Sequence, residues 1–195
     1  MGAAGVLATG ALLSACSKGP AAAQFHSVDI TGVDYAGNFH LTDFNGQART
    51  LADFEGKVVV IFFGYTQCPD VCPTTLMELA QVKQALGADG EKLQVLFVSL
   101  DPERDTPEVL KAYMAAFDPD FVGLVPGSEQ DLQKLTREFK IFYERVDGSA
   151  PDTYTIDHTA ASYVYDPKGR LRLFARYGAS TEDLAEDFKQ LMAGA

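Results

Sequence analysis

Two stretches of the chain are apolar at nearly every position, "KVVVIFF" (Lys57 to Phe63) and "LQVLFVSLD" (Leu93 to Asp101). Continuous β-branched and aromatic runs of this length predict strands buried on both faces of a sheet. Between them, "TTLMELAQVKQALG" places Leu76, Leu79, Val82 and Leu86 at helical spacing and stops at Gly87. That pattern predicts an amphipathic helix. "TPEVLKAYMAAF" follows with a Thr cap and a proline at the first helical position, and "SEQDLQKLTREF" opens on a capping Ser. Both predict helices. "FVGLVPG" predicts a short strand, "ASYVYDPKGRLRLFA" a hairpin turning at "DPKG", and "STEDLAEDFKQLM" a last helix capped by Ser180 or Thr181. Upstream, "FHSVDITG" and "FHLTDFNG" predict short strands ending in turns.

The order is strand, helix, strand, helix, then a hairpin and a final helix. It predicts an α/β fold with a mixed sheet, parallel in its first half and antiparallel at the end, with flanking helices and an N-terminal strand extension. A thioredoxin-like sandwich has this order. It places the loop after the first buried strand at the carboxyl edge of the sheet, where sites tend to lie.

A length of 195 residues suits one domain, taken as 25–195. The formal charge of −11 argues against a nucleic-acid partner, since phosphate binding needs a basic face. Residues 1–15 read as a signal peptide of the lipoprotein type: "MGAAGVLATGALLSAC" carries no charge, is too short to span a membrane comfortably, and closes in "LSAC". This ending resembles a bacterial lipobox, in which Cys16 is the lipidated residue and 16–24 the tether. The absence of Lys or Arg ahead of the apolar run is expected if translation starts upstream of Met1.

With Cys16 assigned to lipid, Cys68 and Cys72 in "GYTQCPDVCPTT" are the remaining thiols. A bridge across three residues would constrain the unfolded chain little, so a structural staple is a poor explanation. Pro69 and Pro73 place the helix start near Pro73, with Cys72 at its cap and Cys68 in the loop leading in. A helix N-terminus favours thiolates, which attack disulfides and also bind soft metals.

Two sulfurs rarely complete a metal site. His26 and His40 alternate with apolar residues and read as solvent-facing strand histidines. His158, in "TIDHTA", precedes the hairpin strand, in a loop that a thioredoxin-like sheet lays against the two-cysteine loop. From pattern alone its role as a ligand stays open, and Asp157 beside it would either orient the imidazole or cap a turn. Two thiolates and an imidazole suit copper, as Cu(I) or Cu(II). Zinc would need a fourth ligand such as Asp70, and an iron–sulfur cluster would need four cysteines.

"VVVIFFGYTQCPDVCPTTL", "FVSLDPERDTPEVLKAY" and "TIDHTAASYVYDPKGRL" together resemble the Sco (also SenC) proteins of the thioredoxin superfamily, from about residue 35 to 192. The resemblance implies a membrane-tethered copper protein that delivers copper to, or prepares, the copper A site of cytochrome c oxidase. It implies Cys68, Cys72 and His158 as the metal ligands. The implied partners are the copper-site subunit of the oxidase, other periplasmic copper chaperones and thiol reductants. The implied location is the extracytoplasmic face of a bacterial membrane. "DPERDT" (Asp101 to Thr106) is expected to shape the loop near the site without a catalytic role. On this reading the protein is an assembly factor and not a turnover enzyme. The alternative is a thiol–disulfide oxidoreductase in which Cys68 and Cys72 act as a redox pair without metal. A peroxiredoxin would show P-x-x-x-T-x-x-C at the nucleophile, which "VIFFGYTQC" lacks.

Overall fold

The two continuous apolar runs lie side by side at the centre of the sheet. The computed structural model describes residues 1–2, 24–150 and 153–195. Cys16, the expected leader beyond its first two residues and the tether up to residue 23 lie outside the described residues. In chain order the strands are β1 (Val28–Asp29), β2 (Leu41–Asp43), β3 (Ala48–Arg49), β4 (Val58–Gly64), β5 (Leu93–Ser99), β6 (Val122–Val125), β7 (Tyr143–Asp147), β8 (Tyr154–His158), β9 (Ala161–Tyr165) and β10 (Leu171–Arg176). The α-helices are α1 (Val71–Ala85), α2 (Pro107–Ala115), α3 (Glu129–Glu138) and α4 (Thr181–Met192). Among the described residues no helix is long and apolar enough to cross a membrane.

Eight strands form the main sheet in the order β1-β10-β9-β4-β5-β6-β2-β3. β4 and β5 run parallel from Val58↔Leu93 to Gly64↔Ser99, and β6 continues the parallel half. β9 pairs antiparallel with the other side of β4, and β10 pairs antiparallel with β9. Every residue of β4 and β5 is buried, as an unbroken apolar run requires when both faces are covered. α1 and α4 pack on each other, and α2 packs on β6. At that contact Gly123 leaves room for Leu110, whose Cγ would lie 2.4 Å from an added Cβ. The expected thioredoxin-like α/β arrangement is present, and the early strands of the N-terminal extension occupy both edges of its sheet.

His26 and His40 depart from expectation, since each precedes its strand instead of lying in it. His40 is exposed. The His26 ring sits between Glu186 (Nε2, 3.0 Å) and Asp183 (Nδ1, 3.2 Å) of α4. Beneath it the fully buried Asp187 accepts the backbone N–H groups of His26 and Ser27, both at 2.8 Å. These contacts fasten the N-terminal extension to the last helix.

The hairpin β7–β8 has no counterpart among the predicted elements. It forms a separate two-stranded sheet, with Tyr143 opposite His158 and Asp147 opposite Tyr154. Most of its residues are exposed and Ile156 alone is buried, so β7 carries no apolar alternation and β8 only the brief one of Tyr154 and Ile156.

Candidate metal centre

The cysteine loop leaves the carboxyl end of β4 at Gly64 and enters α1 at Val71, two residues before the expected start at Pro73. Asp70 occupies the N-cap position and Cys72 lies inside the first turn. Pro73 is tolerated there because first-turn N–H groups have no intrahelical partner. The carbonyl its ring would crowd belongs to Pro69, outside the helix. Cys72 is therefore within the helix and fully buried, while Cys68 is half-buried in the loop, as expected.

The structure brings Cys68, Cys72 and His158 together, with neither cysteine in a disulfide. One ligand atom from each lies within 4.8 Å of the others. The Cys72 N–H donates to Cys68 Sγ at 3.4 Å, and Cys72 Sγ lies 3.5 Å from His158 Nε2. His158 Nδ1 stands 3.1 Å from the Thr159 carbonyl oxygen. A carbonyl can only accept, so this contact places the proton on Nδ1 and leaves the Nε2 lone pair facing the sulfurs. Phe62 and Tyr65 pack edge-to-face with the imidazole at centroid distances of 6.0 and 6.1 Å. Asp157 does not orient the ring: alternation along β8 turns it to the exposed side, and the Thr159 carbonyl holds Nδ1 instead.

The two sulfurs are electrostatically unlike. A hydrogen bond from the Cys72 thiol, with the backbone N–H groups of Asp70 and Cys72, pulls Cys68 down to about 3. Donating that bond, together with burial, pushes the Cys72 thiol far up. At neutral pH the pair thus carries one thiolate, on the more exposed sulfur.

The loop that follows β5 supports this geometry, as "DPERDT" was expected to do. The fully buried Asp105 accepts Thr66 N–H at 3.1 Å, Thr66 Oγ1 at 2.6 Å and Ser99 Oγ at 2.7 Å. Leu100 N–H donates to the Gly64 carbonyl at 2.7 Å. Gly64 itself is a residue that sequence reasoning missed: a Cβ there would lie 2.7 Å from Cys72 Sγ and 2.9 Å from the Phe97 ring. A glycine ending an otherwise bulky strand is the signal that could have found it.

The site opens into a cleft of about 360 Å³ whose walls include Tyr65, Pro69, Val71, Ile156 and Ala160. Asp70 lies on the rim of this cleft but outside the ligand cluster, so no fourth ligand of the zinc type completes the set among the described residues. One thiolate, a second sulfur and an imidazole nitrogen, open on one side, fit a soft or borderline ion that accepts low coordination.

The SCO1/SenC family profile matches residues 28–193. A "SCO2-like protein" of Rickettsia felis is 36% identical over 158 residues, covering 80% of this chain and 77% of that one. The structure of Bradyrhizobium japonicum ScoI with copper bound superposes with a TM-score of 0.71 at 42% identity, over 79% of this chain and 97% of that one. A SCO1/SenC family lipoprotein from Bacillus anthracis superposes with a TM-score of 0.67 at 26% identity, over 79% and 92%. By its fold, its motifs and the extent of these matches, the chain belongs to the SCO1/SenC family.

Proposed function

We propose that this protein binds one copper ion through Cys68, Cys72 and His158 and delivers it to, or uses the same thiols to prepare, the copper A site of cytochrome c oxidase. Sco proteins as a family take part in cytochrome c oxidase assembly. The observation that carries the reading is the convergence of two sulfurs and a lone imidazole nitrogen within 4.8 Å at the foot of an open cleft. The copper-bound Bradyrhizobium relative supports the choice of metal. Copper is the cargo. Three donors and an open side leave room for an incoming thiolate or imidazole of the acceptor, which lets the ion pass by ligand exchange without being released to water.

Reduced protein offered copper and then desalted should retain about one ion per chain, with a sulfur-to-Cu(II) charge-transfer band. Loss of all copper on desalting would remove this function.

The unequal sulfurs favour a second reading, thiol–disulfide exchange with the oxidase or another partner. The Cys68 thiolate attacks a partner disulfide, forms a mixed disulfide and expels one partner sulfur. Cys72 passes its proton to the departing thiolate and attacks Cys68 Sγ, so the Cys68–Cys72 bond closes and the partner leaves with one thiol and one thiolate, which takes its proton from water. The pair is oxidised by two electrons and the partner is reduced by two.

Lipidation of Cys16 would hold the domain, through the 16–24 tether, at the extracytoplasmic face of a bacterial membrane. The Bacillus lipoprotein relative and the "LSAC" ending support this placement. Cys16→Ser should move the protein from the membrane to the soluble fraction; a variant that stayed with the membrane would overturn it.

A further inference from the structure

The strand that carries His158 is not part of the main sheet. β8 pairs as a strand only with β7. The nearest ladder to the main sheet begins past His158, where β9 joins β4 at Phe62↔Ser162, so the start of β8 at Tyr154 has no backbone ladder to the cysteine loop. Side chains must fix that far end and with it the course of β8 up to His158, and Arg104 is placed to do so. Its guanidinium forms an ion pair with the buried Asp101 carboxylate on its own loop. Nη1 donates to Gln67 Oε1 at 3.2 Å, next to Cys68, and to the Tyr154 carbonyl at 3.1 Å, at the start of β8.

The guanidinium also stacks 3.5 Å from the Tyr154 ring centroid and lies 5.7 Å from that of Tyr65. Arg145 stands 3.7 Å from the Tyr154 centroid. Two guanidinium groups this close to one ring must lie on opposite faces, so the ring is sandwiched. The Tyr154 hydroxyl then donates to Asp101 at 2.8 Å, closing the circuit. Only 18% of the Arg104 side chain is exposed, so its charge is largely withdrawn from solvent screening. Residues 154, 156 and 158 share one side of β8, with Tyr154 and His158 about 13 Å apart along the strand.

We propose that Arg104 is a positioning residue for His158, bracketing the loop after β5, the cysteine loop and β8 so that the imidazole is held over the sulfurs. This rests on His158 being a copper ligand. An arginine is required because the bracket uses a flat stacking surface and several donors at once, which a lysine ammonium cannot supply.

The test compares Arg104→Gln and Tyr154→Leu with the parent protein. In the metal-free state, hydrogen exchange of the β8 amides should quicken about tenfold in both variants while β4 and β5 remain unchanged. With copper, chelator competition should show Cu(II) affinity reduced about tenfold in Arg104→Gln, and Cu(I) affinity unchanged. Arg104→Gln should cause no further loss when His158 is already Ala, because the bracket acts only through the imidazole. Unchanged β8 exchange in both variants overturns the proposal, as does an equal loss of Cu(II) affinity with and without His158. If the parent protein took up no copper while both variants still freed β8, the copper reading would fall and the bracket would stand.

Discussion

His158 Nε2 stands 3.5 Å from Cys72 Sγ although 86 residues separate them. One atom sits at the end of a hairpin strand and the other in the first turn of a helix, and the fold alone makes them neighbours. Which atom faces the sulfurs follows from the Thr159 carbonyl, which engages Nδ1 and leaves Nε2 free to bind.

Removing that nitrogen should separate the two oxidation states of copper. Loss of a group that merely orients a ligand costs about 10–100-fold in metal affinity, so His158→Ala should weaken Cu(II) by at least about 100-fold. Cu(I) affinity should fall less, because two sulfurs suffice for a soft ion. Chelator competition in each oxidation state measures both, and a Cu(II) band of full intensity in the variant would take His158 out of the site.

The unequal sulfurs should be visible as pH-independent reactivity. Cys68 is a thiolate above about 3. Its alkylation rate by iodoacetamide should be flat from pH 5 to 8, whereas an ordinary thiol slows about a thousandfold over that interval. Cys72 should stay unlabelled in the folded protein. The sign for stability follows: between about 3 and the ordinary thiol value the unfolded chain binds the proton that folded Cys68 refuses. This contribution is complete above the ordinary value and is lost as pH falls towards about 3. Mass mapping of the labelled site at each pH checks the reactivity, and a rate rising steeply above pH 7 would contradict it.

Gly64→Ala should damage the site from below. The new Cβ would meet Cys72 Sγ at 2.7 Å and the Phe97 ring at 2.9 Å, in a strand with no exposed residue to give way. Overpacking of this kind costs about 1–3 kcal/mol. Urea denaturation should show that loss together with weaker copper retention; a variant as stable as the parent would mean that Cys72 moves freely.

Asp105→Ala should destabilise the protein by at least about 2 kcal/mol, because it leaves Thr66 and Ser99 without their acceptor beside the cysteine loop. Asp105→Asn keeps an acceptor oxygen and should recover part of the loss. Equal denaturation midpoints for all three proteins would show that water replaces the carboxylate.

Much of the architecture is legible because burial writes itself into local pattern. β4 and β5 appear as unbroken apolar runs since both their faces are covered, and α2, α3 and α4 announce their starts through Thr106, Ser128 and Ser180, each capping its helix as read. The hairpin β7–β8 carries little such mark, because β7 is mostly exposed and β8 turns only Tyr154, Ile156 and His158 inward. The exclusion of proline from a helix interior, which points to a start at Pro73, gives way by two residues, since the first turn forgives what the interior does not.

Sequence by itself determined the central strands, the helices α1 to α4 and the nearness of the two sulfurs, because two cysteines in a fixed motif must lie near one another wherever the chain goes. Only the tertiary structure decided the rest. It set which sulfur carries the charge, since that depends on burial and on who donates to whom. It placed the Nε2 of His158 beside them and turned Asp157 away. It also assembled Gly64, Asp105, Arg104 and Tyr154 around them from separate segments. Contacts between residues far apart in the chain leave no local period to read, because they exist only once the sheet and its loops have closed on each other.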